Sequence, residues 1–412
     1  MGKLYNECDN NQFGWDGGIR TPECRDQNPV PYHLATSHRP PVRLCLILPG
    51  GKSFSRQLRS SSQSPKQLRL VWSIVESIEQ IDFNVQRPLI QLSTLGSLSD
   101  KIAQMPHVSH SPADYIVPLD INGLEGRLLY MPSTSKAKRD ILLLYGHHAM
   151  LERWWGLVEN LHDFGNVTMP DLPGFGGMDS FSKLGKKPTI DNYADYLAAF
   201  ITLRYKGKKV TIMAISFGFL VATRMLQRYP ELTKKVDMMV SIVGFMHKDD
   251  FIYSAGQRRR YRIVTRLFAT RPVALFIRYC CLNKFVLTTL YAKLPNSKRR
   301  MIEITPEQFK RNIDFEKVIW QANDVRTHWL TTTEFLNIDN CQKSIDLPIY
   351  HVASSADHYF HNEIVKQHML VTFKAYHEFK ATSKAHTPSI LANKKEMAVL
   401  VPAGLRRKLR QR

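Results

Sequence analysis

Residues Val210 to Pro230 read V-T-I-M-A-I-S-F-G-F-L-V-A-T-R-M-L-Q-R-Y-P. An apolar run from Val210 to Ile215 ends in Ser216. Apolar residues then recur at helical spacing (Val221, Met225, Leu226) until Tyr229-Pro230 stops the helix. Strand, serine and helix follow one another with no room for a loop. A chain that turns so sharply projects the serine side chain from the edge of a sheet and needs small residues on either side, the form of a nucleophile elbow. Ala214 and Gly218 stand two before and two after Ser216, giving G-x-S-x-G with Ala in place of the first glycine. A plainer reading makes Ser216 a helix N-cap whose hydroxyl accepts a backbone N–H. Other parts of the chain must separate the two.

Upstream, Ile116 to Ile121 and Leu124 to Met131 flank Asn122-Gly123, which predicts a tight hairpin. A buried strand, Ile141 to Leu144, leads into Tyr145-Gly146-His147-His148 and then a helix with Leu151, Trp154, Trp155, Val158 and Leu161 on one face. Val167 to Met169 forms a short strand before Asp171-Leu-Pro-Gly-Phe-Gly-Gly177. That loop lacks the Lys-Ser/Thr ending of a phosphate-binding loop and reads as a structural turn. Ile190 to Tyr205 is helical, and Val236 to Val243 is a further strand. Strands alternating with helices at this spacing predict an α/β fold, a mostly parallel sheet covered on both faces. From His247 to about Asn340 the alternation stops. This stretch is helical, rich in Arg and aromatics, and reads as an inserted lid. The sheet resumes at Leu347 to Ala353, with a helix around Asn362 to Val371, a last strand near Ala375 to Phe379 and a final helix after Pro388. Arg406 to Arg412 reads as a solvated basic tail.

The chain has 412 residues, is 43% apolar and carries a net charge of +21. A substantial core is therefore possible, and wholesale disorder is excluded. Residues 1–104 contribute +3 and the remainder +18, so the basic character belongs to the part with periodicity. Such a charge favours anionic surfaces in general. A specific nucleic-acid function finds no motif and no basic-aromatic platform on strands. Six cysteines without a C-x-x-C pair fit a reducing, cytoplasmic compartment. The start is not secretory, and Asn6 breaks the myristoylation pattern. The longest apolar stretch, Pro272 to Leu294, is interrupted by Arg278 and Lys284, which argues against a membrane span.

Residues 1–104 stand apart from the rest. Gly18-Ile19-Arg20-Thr21 can be encoded GGG ATT CGA ACC, the complement of the T-arm sequence shared by transfer RNA genes. We read this segment as an over-extended reading frame, with translation from Met105; an ordinary disordered tail is the alternative. Tryptic peptides from residues 26–101 in the natural protein would exclude the over-extension.

Four local signatures occur in order: LLLYGHH, PDLPGFGGM, AISFGF with a helix ending RYPE, and the pair SADHYF and AHTPS. Together they make residues 115–405 resemble an α/β-hydrolase with a helical cap. The resemblance implies core segments 105–246 and 341–412 around a cap at 247–340. It also implies a chain order of Ser, Asp, His for the catalytic residues. Carried over residue by residue, that gives Ser216, Asp357 and His386, with the backbone N–H groups of His147 and Phe217 as oxyanion donors. Asp249 and Asp250 remain alternative acids, ranked behind Asp357 because S-A-D-H-Y-F matches the family's loop. Tyr145 and Ala214 depart from the family pattern. A serine rather than an aspartate at the elbow argues against epoxide hydrolases and dehalogenases of this fold.

The expected activity is hydrolysis of a small-molecule carboxylic ester, thioester or activated C–C bond through an acyl-enzyme, with no metal and no organic cofactor. His147-His148 and His358/His361 lack the spacing of a known metal site. Cap aromatics (Tyr253, Tyr261, Phe268, Phe276, Tyr279, Trp329) would receive an acyl chain or aromatic ester, with Arg258 to Arg262 near an anionic group. They read equally well as an amphipathic lid packing on the core. The alternative from another class is a non-catalytic module of the same fold that holds anionic lipid or a membrane surface through its basic cap.

Overall fold

The hairpin at Asn122-Gly123 forms as its turn residues dictate. Both have positive φ, 53° and 77°, which Asn and Gly tolerate. In the computed structural model, which describes residues 111–133, 139–293, 305–355, 357–381, 386, 388 and 392–411, this hairpin joins β1 (Ile116–Ile121) to β2 (Leu124–Met131). The reading of residues 1–104 lies outside the described residues.

Six more strands complete the sheet: β3 (Arg139–Leu144), β4 (Gly165–Pro170), β5 (Val210–Ile215), β6 (Val236–Ile242), β7 (Ile345–Ser354) and β8 (Phe373–Ala381). Their order is β1-β2-β4-β3-β5-β6-β7-β8. The hairpin and the β2–β4 pair are antiparallel, and every pair from β4 to β8 is parallel. All six residues of β5 are buried, as a central strand covered on both faces requires.

Helices α1 (Trp155–Leu161), α2 (Ile190–Arg204) and α3 (Phe217–Arg228) cross between the strands. The apolar face of the first, from Leu151 through Trp154, Trp155 and Val158 to Leu161, is buried in the core, although its first turn is 3-10 rather than α. Thr189 caps α2 by accepting the Asn192 N–H.

Between β6 and β7 the chain makes α4 (Ala255–Phe268), α5 (Arg271–Phe276), a π-turn at Ile277–Cys281, α6 (Lys284–Lys293), α7 (Pro306–Ala322) and α8 (Val325–Phe335). This insertion departs and returns at one place. The Lys248 N–H donates to Ile338 O, and the Asn340 N–H donates to Met246 O. After β7 come α9 (Asn362–Thr372), β8, α10 (Lys394–Met397) and α11 (Ala403–Arg410).

The C-terminal segment differs from its sequence reading as a solvated tail. It is the helix α11, with Leu405 and Leu409 buried in the core cluster, Arg406 donating to the Val401 and Ala398 carbonyls, and Arg407, Lys408 and Arg410 exposed. The run Arg406-Arg407-Lys408 hides a leucine pair at i, i+4, so charge density masks the helical period.

Candidate active site

In a parallel sheet all strands end at one edge, and that edge is where side chains from successive loops converge. Here β3 delivers Gly146 and His147, β5 delivers Ser216, β7 delivers Asp357 and β8 delivers His386.

Ser216 has φ 47° and ψ −111°, a left-handed conformation costly for any residue but glycine. Its side chain makes no capping bond to α3. The N-cap reading is therefore not what holds this serine in place. The strain is sustained by close packing around it. A Cβ on Gly218 would stand 2.7 Å from both the Leu144 and Tyr145 carbonyl oxygens, and one on Gly146 would stand 3.4 Å from Ser216 Cβ. Only glycine lets the first turn of α3 sit so near the end of β3. Ala214, fully buried two residues before Ser216, occupies the other small position.

His386 Nδ1 lies 2.6 Å from Asp357 Oδ2, with both side chains almost wholly buried. The other carboxylate oxygen of Asp357 accepts the N–H groups of Tyr359 (2.8 Å) and Phe360 (3.3 Å). Burial pushes the Asp357 pKa up, but the His386 bond and charge and the two amides outweigh it, so the carboxyl is held below its ordinary value. The His386 ring packs on Tyr359 and Phe360, at centroid distances of 5.1 and 5.3 Å. Asp250, an alternative acid from sequence, pairs with His368 at 2.5 Å instead, and Asp249 pairs with Arg258 at 2.6 Å. Asp357 and His386 are thus brought together. Among the described residues no hydrogen bond joins either of them to Ser216.

The main-chain amides of His147 and Phe217 have no acceptor among the described residues, Phe217 being the first residue of α3. His148 adopts φ 55°, which bends the chain just after His147. The His147 ring is anchored to the insertion: its Nε2 lies 2.8 Å from Thr331 Oγ1 on α8. The same hydroxyl lies 2.8 Å from Thr327 O and 3.1 Å from His328 O, so Thr331 ties the His147 ring to the backbone of α8. Burial and the neighbouring His148 push the His147 pKa down to about 3, so this ring stays neutral. His328, beside it on α8, is shifted well down by burial and by His147 and His148.

Sequence reasoning missed the contribution of α8, because Thr331 and His328 lie in a helix whose docking no local pattern reveals. It also missed the buried network under the Pro170 to Met178 loop. Tyr145 donates to Asp171 Oδ1 (3.0 Å) and accepts the Leu172 N–H (2.8 Å), while Arg127 bridges Asp171 and Glu152. Burial raises the Asp171 pKa to about 7 against the pull of Arg127, since one guanidinium serves two carboxylates. Tyr145, a departure from the family pattern, therefore has a structural part in this chain. The glycines of the loop are explained too. Gly176 has φ 62°, and a Cβ there would stand 1.9 Å from Asp171 Oδ1. The structural-turn reading of this loop fits those contacts.

Aromatic rings form a continuous apolar wall along the same edge. His147 meets Phe335 at 5.1 Å, Phe335 meets Phe251 and Phe245 at 5.9 Å, Phe245 stacks on Phe360 at 4.6 Å, and Phe360 meets His386 at 5.3 Å. Arg258 and Arg262, expected near an anionic group, are occupied by Asp249 and Asn337. Tyr253 stacks on Phe251, and Phe268 meets Trp329 edge-on, so these rings pack within the protein.

A family model for the alpha/beta hydrolase fold matches residues 141–369. No curated protein sequence matches the chain. Among solved structures, the chain is similar to a hydrolase from Oleispira antarctica, with TM-score 0.50 and 12% identity over 69% of this chain and 94% of that one. It is similar to a Bacillus megaterium epoxide hydrolase in complex with an inhibitor, with TM-score 0.50 and 12% identity over 72% and 100%. It is also similar to a membrane phospholipase A described as a bacterial virulence factor, with TM-score 0.51 and 13% identity over 87% and 100%. At such identities the likeness is one of fold. With the family model covering more than half of its length, the chain belongs to the α/β-hydrolase fold family.

Proposed function

We propose that this α/β-hydrolase cleaves a carboxylic ester, or a related thioester or activated C–C bond, through an acyl-enzyme on Ser216. One observation carries the reading: an Asp357–His386 bond of 2.6 Å on the sheet edge that also bears a strained serine free of any capping role.

In this scheme His386 takes the Ser216 proton through Nε2 as the hydroxyl attacks the substrate carbonyl carbon. The carbonyl π electrons move to oxygen, and that oxyanion accepts the N–H groups of Phe217 and His147. Losing one such donor costs about 3–4 kcal/mol of transition-state stabilisation. Asp357 stays ionised, keeps the Nδ1–H tautomer of His386 and stabilises the imidazolium. Collapse of the intermediate expels the alcohol or thiol, or for a C–C bond the stabilised carbanion, each protonated by the His386 imidazolium. Water, deprotonated by the same imidazole, then releases the acid and regenerates Ser216. The serine–histidine bond of such sites is often long before substrate arrives and tightens in the complex.

The aromatic wall from Phe335 to Phe360 favours an uncharged, apolar acyl or aromatic group, and helices α4 to α8 act as the cap above it. The unpaired Cys280, Cys281 and Cys341 support a reducing, cytoplasmic setting.

A fluorophosphonate probe tests the chemistry. It should label the wild-type protein and leave Ser216→Ala and His386→Ala unlabelled. Folded wild type that takes no label would remove the nucleophile assignment. Chromogenic esters of graded acyl length would then define the pocket, a sharp optimum being expected for a small-molecule esterase.

A further inference from the structure

Helix α4 carries apolar residues on the side turned away from the protein. At 100° per residue, Ile263, Val264 and Leu267 fall within about 100° of one another, roughly opposite buried Thr265. Thr265 faces inward, its hydroxyl 2.8 Å from that of Thr333 on α8. Ile263 is 62% exposed and Leu267 55%, and the next elements continue the pattern with Leu275 at 43%, Tyr279 at 57% and Phe285 at 80%. Single exposed apolar residues need no explanation, but a series along consecutive elements marks an interaction surface. The same segment is strongly cationic: residues 251–302 contain twelve Lys and Arg and no Asp or Glu. Arg259, Arg260, Arg266 and Arg271 are exposed beside the apolar positions.

We propose that this face of α4, α5, the π-turn and α6 docks on the surface of a bilayer rich in anionic phospholipid. Charge decides among occupants. A second copy would bring an identical cationic face against this one, at a Coulombic penalty. A polyanion such as RNA would satisfy the arginines and leave Ile263, Leu267 and Phe285 in water. Only an anionic interface accepts both, since apolar side chains enter the acyl boundary while each nearby cation contributes through the negative surface potential. Attachment of this kind is peripheral. No helix among the described residues is long and apolar enough to cross a membrane. The face is separate from Ser216, Asp357 and His386, so docking does not depend on the proposed chemistry.

The test is co-sedimentation of the full chain with phosphatidylcholine vesicles, with and without phosphatidylglycerol as the anionic component. Wild type and Ser216→Ala should bind the anionic vesicles alike and leave the neutral ones. Arg259→Glu/Arg260→Glu should weaken partitioning by about 25-fold or more, taking roughly fivefold per cation. Ile263→Asp/Leu267→Asp/Phe285→Asp should weaken it by about tenfold or more. Leu370→Asp, at an exposed apolar position on α9, controls for generic loss of hydrophobicity and should bind like wild type. Thermal melts of each variant guard against misfolding, which is unexpected for the patch and α9 variants because each of those side chains is solvent-exposed. The proposal is overturned if wild type ignores anionic vesicles, or if folded patch variants bind as wild type does. A wild-type dimer that the Asp variants dissociate, with no vesicle binding, would equally overturn it and assign the face to self-association.

Discussion

Two histidine–aspartate pairs in this protein share residue types, joining atom and distance, yet differ in what surrounds them. His386 meets Asp357 through Nδ1 at 2.6 Å, and His368 meets Asp250 through Nδ1 at 2.5 Å. The free oxygen of Asp250 accepts the N–H groups of Met246 and His247, at the point where the helical insertion leaves the sheet. The His368 ring packs at a tilt against that of His247, 4.5 Å between centroids, and His247 bridges toward Asp339 where the insertion returns. That pair fastens a root. Asp357 instead folds its own loop through Tyr359 and Phe360, and presents His386 at the strand edge shared with Ser216. A short imidazole–carboxylate bond is thus no signature of catalysis by itself. Its place in the topology, and what its remaining atoms are free to do, separate the two.

The widest separation between the pairs should appear in turnover. Asp357→Asn is expected to lower kcat for a chromogenic ester by about 10⁴-fold, because the amide favours the wrong His386 tautomer. Asp250→Asn in the same assay should stay within about twofold of wild type. The opposite ranking would transfer the acid role to Asp250 and undo the contrast.

Stability should rank them the other way. Asp250 is fully buried and accepts three hydrogen bonds, so Asp250→Asn leaves donors without a charged acceptor. A loss of about 2–4 kcal/mol in denaturant unfolding is expected. Equal stability of wild type and variant would show that the insertion is held elsewhere.

A smaller effect should separate cap from core. Thr331→Val leaves the buried His147 Nε2 without its hydrogen-bond partner, a cost of about 1–3 kcal/mol. If that bond keeps the His147 amide aimed at the oxyanion, kcat falls about tenfold with little change in KM, and Thr331→Ser restores it. A change in KM alone would make Thr331 a substrate contact instead.

How much of this is legible in the sequence depends on whether a feature is local. Asn122-Gly123 announces its turn, and the run into Ser216 announces its elbow, because each is a contest between neighbouring residues. The strands β1, β2 and β5 accordingly coincide with their sequence readings. Asp357 and His386 are reached through family motifs, and nothing local tells which of Asp249, Asp250 or Asp357 meets which histidine. That choice is made by strand order, which sets β7 beside β8 and so the Asp357 loop beside the His386 loop. The pairing of Thr331 with His147 spans 184 residues and most of the helical insertion. The leucines of α11 are obscured by their charged neighbours, whose repulsion from the core says nothing about the opposite face of the same helix.

The finest contrast between the two pairs is in pH. The bond to Asp250 leads the causes that raise the His368 pKa, with Asp249 and Asp339 adding to it and partial burial opposing it. A histidine whose folded-state pKa lies above its unfolded value of about 6.5 contributes stability that is fully present below that value and is lost as pH rises through the folded pKa. His247 acts in the other direction, since burial and the His368 charge lower its pKa and protonating it at acid pH costs stability. His368→Gln removes the first contribution and relieves the second. The stability gap between wild type and His368→Gln, measured by urea unfolding, should therefore be largest near pH 6 and shrink toward pH 8. Its size should be about 1 kcal/mol or less, because the imidazole is partly exposed. A gap that widens with pH would mean that His368 is bound as the neutral ring, and the root of the insertion would then be a plain hydrogen bond rather than an ion pair.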